Sequence, residues 1–304
     1  MKKLISSLCI FAFIFTQSLT QETASFEHNV TSRGMGMGGA FTAVANDASA
    51  VIWNAAGMFQ ESSVGAGASY TWYLNLVSAG SAYGKYVYDE DLAFGAYIKT
   101  DGDDLYSEME INLAAAYDLY SLTYIDQLYA GLNFHYRHNS WGDENTGVNP
   151  VKGSGSGFGL DFSLFYKINK NVNLGLKYNN FIDSFKWNNS SVKGYSSSES
   201  ESAPSDLRFG IAYQNGMYKN VSIEYRFGFD EYSLDRIFLG AEHSIKDVVM
   251  FRAGYSRNLM SKFDNTNEIY HVGLSVKVQA ISLNYTYEIT DIQNTFWVGF
   301  DINM

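Results

Sequence analysis

The sequence predicts an all-β fold: a transmembrane antiparallel β-barrel of about 14 strands with an N-terminal hatch inside the lumen. Three observations predict it. From residue 64 onward, apolar and polar residues alternate with period 2 in blocks of about ten, which makes one face of each block greasy and the other polar. Aromatic residues reach 16% and charged residues only 17% of 304 residues, with 27 Gly and 2 Pro. Beyond residue 20, no apolar run approaches the ~20 residues that cross a bilayer as a helix.

The same figures exclude other classes. A disordered chain would be poor in aromatics and rich in charge and Pro. The balance of 21 Lys+Arg against 32 Asp+Glu, a formal charge of −11, argues against the extended basic surface that nucleic-acid phosphates require, so no nucleic-acid partner is expected. One cysteine cannot build a disulfide scaffold.

Taken in order, residues 1–20 read as a signal peptide. Lys2 and Lys3 form a basic head, Leu4–Phe15 is mostly apolar but too short to span, and Thr16–Thr20 is small and polar. Removing it leaves 19 basic against 32 acidic residues and a formal charge of −13, with Cys9 also gone. Residues 21–63 do not alternate; they are rich in Gly and Ala, which let a backbone pack closely against an inner wall. They are expected to form the hatch, and residues 64–304 the barrel.

Fourteen alternating blocks follow in the barrel region. They are Val64–Leu74, Leu76–Tyr86, Asp91–Lys99, Ser107–Asp118, Gln127–His138, Gly157–Ile168, Asn171–Phe181, Ser205–Gln214, Lys219–Asp230, Leu234–Ile245, Val248–Arg257, Glu268–Val278, Ala280–Glu288 and Asn294–Asn303. In the ninth block Val221, Ile223, Tyr225 and Phe227 oppose Ser222, Glu224, Arg226 and Gly228. Apolar faces end repeatedly in Tyr or Trp, as at Trp72, Tyr86, Tyr117 and Tyr213, which suits an aromatic girdle. A soluble sandwich also alternates, but an almost Pro-free run of consecutive hairpins fits a closed meander better than a Greek key. Short turns follow even-numbered blocks, and several longer loops follow odd-numbered ones. The longest, Ser184–Pro204, is Ser- and Glu-rich and is expected to be a mobile outer loop.

Arg33–Ala50, followed by Trp53-Asn54-Ala55-Ala56-Gly57, resembles the N-terminal hatch of FadL-like outer-membrane proteins, and most closely the PorV/PorQ-type branch. The chain departs from that branch at Ala55, where the family carries Pro, and at its Met304 end, where the family carries an aromatic residue. The resemblance implies a porin-like barrel in the cell outer membrane, with a fourteen-stranded wall behind a hatch. It also implies passive uptake of hydrophobic or amphiphilic small molecules or lipids, with lateral exit through a gap in the wall. Phe41, Trp53, Asn54 and Gly57 are the expected hatch and ligand residues. Gly80, Gly84 and Gly95 are the candidates for the lateral opening, since a strand Gly favours a kink or bulge. The alternative implied by the PorV/PorQ likeness is a component of type IX protein secretion that binds exported or secretion-system proteins.

No enzyme chemistry is indicated. Gly34–Gly39 looks superficially like a nucleotide loop but follows no strand. The five His are scattered without metal spacing, so no metal or other cofactor is expected. The polar face carries charge instead. Glu224, Arg226, Glu242 and Arg252 fall on three successive strands, where opposite charges can pair across the lumen wall and hold the hatch.

Overall fold

The computed structural model describes residues 31–304 except 74–76, 104, 143–150, 192–195, 216–218, 230–234, 260–267 and 291–293. The expected signal peptide, 1–20, lies outside the described residues. So does the first part of the expected hatch.

The strands are β1 (Val64–Tyr73), β2 (Val77–Val87), β3 (Leu92–Gly102), β4 (Tyr106–Asp118), β5 (Leu128–Trp141), β6 (Val151–Asn169), β7 (Val172–Ser191) and β8 (Ser196–Glu201). They continue as β9 (Asp206–Tyr213), β10 (Asn220–Gly228), β11 (Arg236–Ile245), β12 (Val249–Asn258), β13 (Glu268–Val278), β14 (Ile281–Ile289) and β15 (Thr295–Asn303). All pairings are antiparallel between sequence neighbours, apart from β7 with β9 and the closing pair β1 with β15. The result is a closed barrel of fourteen strands, with β8 as an extra strand paired only to β7.

Alternation decides what each face meets. On β14, Ile281, Leu283, Tyr285 and Tyr287 are exposed outward while Asn284, Thr286 and Glu288 are buried. On β10 the outward residues are Val221, Ile223 and Phe227, and Ser222, Glu224 and Arg226 are buried. A strand with this pattern fits only between an apolar exterior and a filled, polar interior. Outward-facing charge among the described strand residues is confined to the ends away from the termini: Lys152, Lys186, Arg257 and Glu268.

Both ends of the wall close at one rim, where the Val64 amide donates to the Met304 carbonyl (3.0 Å) and Met304 returns the bond to Val64 (2.8 Å). Tight turns sit at this terminal rim. At Lys246-Asp247 both residues have positive φ (52° and 53°), the geometry of a type I′ hairpin turn.

The loop expected over Ser184–Pro204 is corrected. The chain runs on through β7 to Ser191 and returns in β8, with Lys186 opposite Ser200 and Asn188 opposite Ser198. The period-2 pattern persists there with its sense reversed: Phe185 and Trp187 point inward, and Lys186, Asn188 and Ser190 outward. β6 likewise begins at Val151, six residues before its expected start, with Gly153, Gly155 and Gly157 buried against outward Lys152, Ser154 and Ser156. Four strands, β4–β7, therefore project beyond the apolar belt.

Leu283 is 62% exposed in the middle of the outward apolar face. Leu283→Arg is expected to destabilise the lipid-inserted barrel by about 2–4 kcal/mol, and Leu283→Phe to leave it unchanged. Folding into lipid vesicles, followed by heat-modifiable gel mobility, measures both; equal yields would refute the face assignment.

Candidate functional site

The lumen is filled from within by residues 31–60. They fold as two short helices, Ser32–Gly36 and Ala50–Trp53, and a 3-10 turn, Ala55–Phe59, joined by turns. Such short helices leave most backbone groups unpaired, and a buried unpaired group is costly. The wall supplies the partners. Thr286 Oγ1 donates to the Ser32 carbonyl (2.7 Å), Asn133 Nδ2 to the Val51 carbonyl (2.9 Å) and Lys177 Nζ to the Ile52 carbonyl (2.8 Å). Lys85 Nζ donates to the Met58 and Gln60 carbonyls (3.0 and 2.6 Å). The Thr42 amide donates to Glu224 Oε2 (2.9 Å) and the Ser32 amide to Ser69 Oγ (3.1 Å). Strands on all sides of the barrel thus hold the same segment.

Its strongest tie is ionic. Arg33 donates from Nε and Nη2 to the two oxygens of Glu242 (3.0 and 2.9 Å), and from Nη1 to Asn46 Oδ1 and Asp47 Oδ2 (2.7 Å each). Glu242 also accepts from Arg252 Nε (2.6 Å) and Asn220 Nδ2 (2.9 Å). Two guanidinium and two carboxylate groups are buried together, with Glu242 0% exposed, so the charges balance. Burial alone would raise the Asp47 carboxyl pKa, but Arg33 and the Ser49 hydroxyl and amide outweigh it and hold the group below its ordinary range. Burial likewise opposes the Arg33 charge, but Glu242 and Asp47 outweigh it and drive the guanidinium pKa well above its ordinary value.

The expected hatch residues lie at the centre of this segment. Phe41 and Trp53 meet edge to face at 5.6 Å and are 0% and 2% exposed, so they form its internal core and line no open passage here. Trp53 Nε1 donates to Thr31 Oγ1 (2.6 Å). Asn54, 0% exposed, donates to the Thr42 carbonyl (2.9 Å) and the Leu164 carbonyl of β6 (3.0 Å), and accepts from the Ala56 amide (3.1 Å). It thereby joins the segment to itself and to the wall. Gly57 packs on the Ala45 carbonyl, where a Cβ would collide. The wall makes the same concession at Gly254, where a Cβ would strike the backbone of Gly38, itself at φ +67°.

The lumen charges are placed as follows. Glu242 and Arg252 are in the network above. Glu224 accepts from Arg208 Nη1 (3.4 Å) and from the Thr42 amide, and Arg226 is buried one inward position along β10. Sequence reasoning missed Arg33, Asn46 and Asp47 as the partners, although all three stand in the quoted motif.

The bulge expected at the three glycines is not where the wall is irregular. Gly80 and Gly84 sit outward in an unbroken β1–β2 ladder, and β2–β3 runs without a shift past Gly95. Gly95 faces inward and makes room for Met58 and Val51 of the inner segment. The ladder shifts instead between β6 and β7, where Asn179–Phe181 stand opposite Asp161 alone. Asn180 takes positive φ (51°) there and donates its amide to Asp161 Oδ1 (2.9 Å). At that point β7 also changes partner, from β9 to β8.

One apolar contact was not foreseen. Met35 is only half-buried and packs on inward-facing Ala79 and Trp297, near the rim opposite the termini. The meeting of Met35 with Trp297 forms only once the barrel closes. Among the described residues no group of His, Cys, Asp or Glu has the arrangement to hold a metal ion.

No family model and no curated protein matches the chain. Solved structures match its fold. A monoaromatic hydrocarbon channel, CymD, superposes with TM-score 0.66 at 14% identity over 90% of this chain and 97% of its own. A Pseudomonas aeruginosa FadL homologue gives 0.65 at 10% identity over 90% and 98%. The toluene transporter TbuX of Ralstonia pickettii gives 0.61 at 12% identity over 90% and 98%. At these identities the likeness shows a shared fold.

Removing one partner from a buried ionic network leaves the others uncompensated, at about 3–5 kcal/mol. Glu242→Gln is therefore expected to expose residues 31–60 to protease while the barrel keeps its heat-modifiable mobility. Unchanged protection would contradict the assigned tie. A depressed carboxyl pKa contributes stability above its unfolded value of about 3.9 and loses it as pH falls through the folded value. Asp47 therefore predicts equal protection at pH 5 and pH 8 and loosening only below about pH 4; a loss of protection between pH 8 and 5 would contradict it.

Proposed function

We propose that the chain is an outer-membrane channel for passive uptake of hydrophobic or amphiphilic small molecules, and that residues 21–63 are its hatch. The observation that supports it most is the inner segment: a plug of small residues, held to the wall by hydrogen bonds and one ionic cluster with no strand pairing of its own. A plug attached in this way can shift without opening the barrel ladder. The structures that share this architecture include channels for monoaromatic hydrocarbons and a toluene transporter, which supports an apolar cargo.

In this reading the described arrangement is the closed state. Phe41, Trp53, Asn54 and Gly57 keep the hatch compact, and Glu224, Arg226, Glu242 and Arg252 bind it to the wall. On the side of the rim opposite the termini, half-buried Met35, packed on Ala79 and Trp297, is the candidate first contact for an arriving hydrophobe. The irregular β6–β7 seam is a better candidate for a lateral gap than the ladders around Gly80, Gly84 and Gly95. The PorV/PorQ-type reading, in which the barrel serves type IX secretion, gains no support from the geometry or from the matching folds.

The test uses Ser32 and Thr286, whose hydroxyl oxygens lie 3.4 Å apart. In a Cys9→Ser background, S32C/T286C should form a disulfide that fastens the hatch to β14. Uptake of radiolabelled toluene by cells producing the oxidised protein should fall to the background of cells without it and recover on reduction. Uptake unaffected by the closed disulfide would overturn the gating role.

A further inference from the structure

The outer face of β4–β7 changes character along one line. Ile111, Tyr136 and Phe158 are register partners at the top of the apolar belt. The next outward rows, toward the rim opposite the termini, are Met109–His138–Ser156–Lys186 and then Ser107–Ser140–Ser154–Asn188. β8 extends both rows, with Ser200 beside Lys186 and Ser198 beside Asn188. Lys152 and Ser190 pair one row further out. From Ser156 to Lys152 the polar face rises about 13 Å along the strand.

Hydroxyl, amide and imidazole groups with two lysines cover this face, and none of its outward-facing strand residues in these rows is acidic, in a chain of net charge −11. The acids of β4, β6 and β7, namely Glu108, Glu110, Asp118, Asp161 and Asp183, point to the other face, and so by register does the exposed Glu199 of β8, opposite inward-facing Trp187. A cleft of ≈ 370 Å³ opens at its edge, lined among others by Tyr106, Ser107, Ser140, Trp141, Lys152 and Ser154. Among the described residues the one carboxylate lining it is Asp103, which accepts from the Leu105 and Tyr106 amides (2.8 Å each).

We infer that this face binds the acidic saccharide headgroup of a glycolipid in the outer leaflet, an inference that rests on the proposed outer-membrane location. Ser and Asn side chains both donate and accept, as a polyol requires. Lys152 and Lys186 match phosphate or carboxylate on the sugar. Continuity selects a lipid-linked saccharide over a free one: the polar rows stand directly above Tyr136 and Phe158, so acyl chains lie against the belt while the sugar meets Ser154 and Asn188.

Native mass spectrometry of the refolded barrel tests this, titrating a rough-type lipopolysaccharide with a phosphorylated inner core, lipid A without core sugars, and phosphatidylglycerol. The wild type is expected to prefer the lipopolysaccharide. At about fivefold in affinity per lysine near an anionic surface, K152E/K186E should weaken its binding by on the order of tenfold or more. K246E, at the terminal rim, should leave it unchanged. Equal binding by K152E/K186E, or equal binding of lipid A or phosphatidylglycerol to the wild type, would overturn the inference. Heat-modifiable mobility in lipid is read for every variant: a barrel that never inserts contradicts the membrane reading itself, whereas one that inserts without sugar preference contradicts only this inference.

Discussion

The carboxylate of Glu242 is the point on which the interior depends. It faces inward from β11, fully buried, where an unpaired charge could not persist. Two guanidinium groups meet it: Arg252 from the neighbouring strand and Arg33 from the inner segment, 209 positions away in sequence. Arg33 in turn holds Asn46 and Asp47, which fixes the turn between the two short helices. The wall thus sets the shape of the segment that fills it. Conversely, the segment brings its own Arg33–Asp47 pair, and Arg33 completes the hydrogen bonding of the wall's Glu242.

This division of labour explains the composition of residues 31–60. Long helices would satisfy their own backbone and need nothing from the wall. A one-turn helix and a 3-10 turn cannot do so, and they leave the Val51, Ile52 and Met58 carbonyls within reach of Asn133, Lys177 and Lys85. The lack of a side chain permits the close approach of Gly38 to Gly254. Exterior and interior obey opposite rules. Outside, Leu283 and Val272 contribute by having no polar atoms; inside, Asn54 contributes by using every one it has.

The barrel was readable because its signal is local. Each of the fourteen blocks carries its own two-residue rhythm, and the strand bounds fall within a few residues wherever the apolar residues face outward. The reading failed where that sense reverses. In β7 past Ser184 the aromatic residues turn inward and the polar ones outward, so a strand looked like a Ser-rich loop and β8 went unseen. The three wall glycines misled for a related reason. A strand glycine signals either a kink or a close neighbour, and at Gly95 the neighbour, Met58, belongs to a segment whose path the sequence does not reveal. The inner site was half legible: the motif marked the segment, and alternation marked Glu242 and Arg252 as inward. Their pairing with Arg33 follows only once the barrel closes.

A movable closure for apolar cargo, as proposed above, must loosen when the cargo binds. Hydrogen exchange of residues 31–60 in the nanodisc-embedded protein, with and without saturating toluene, measures that loosening. Toluene is expected to accelerate exchange at Val51, Ile52 and Met58 while the β10–β14 ladder amides stay protected. Exchange unaltered by toluene, or a loss of protection shared equally by the ladder, would contradict it.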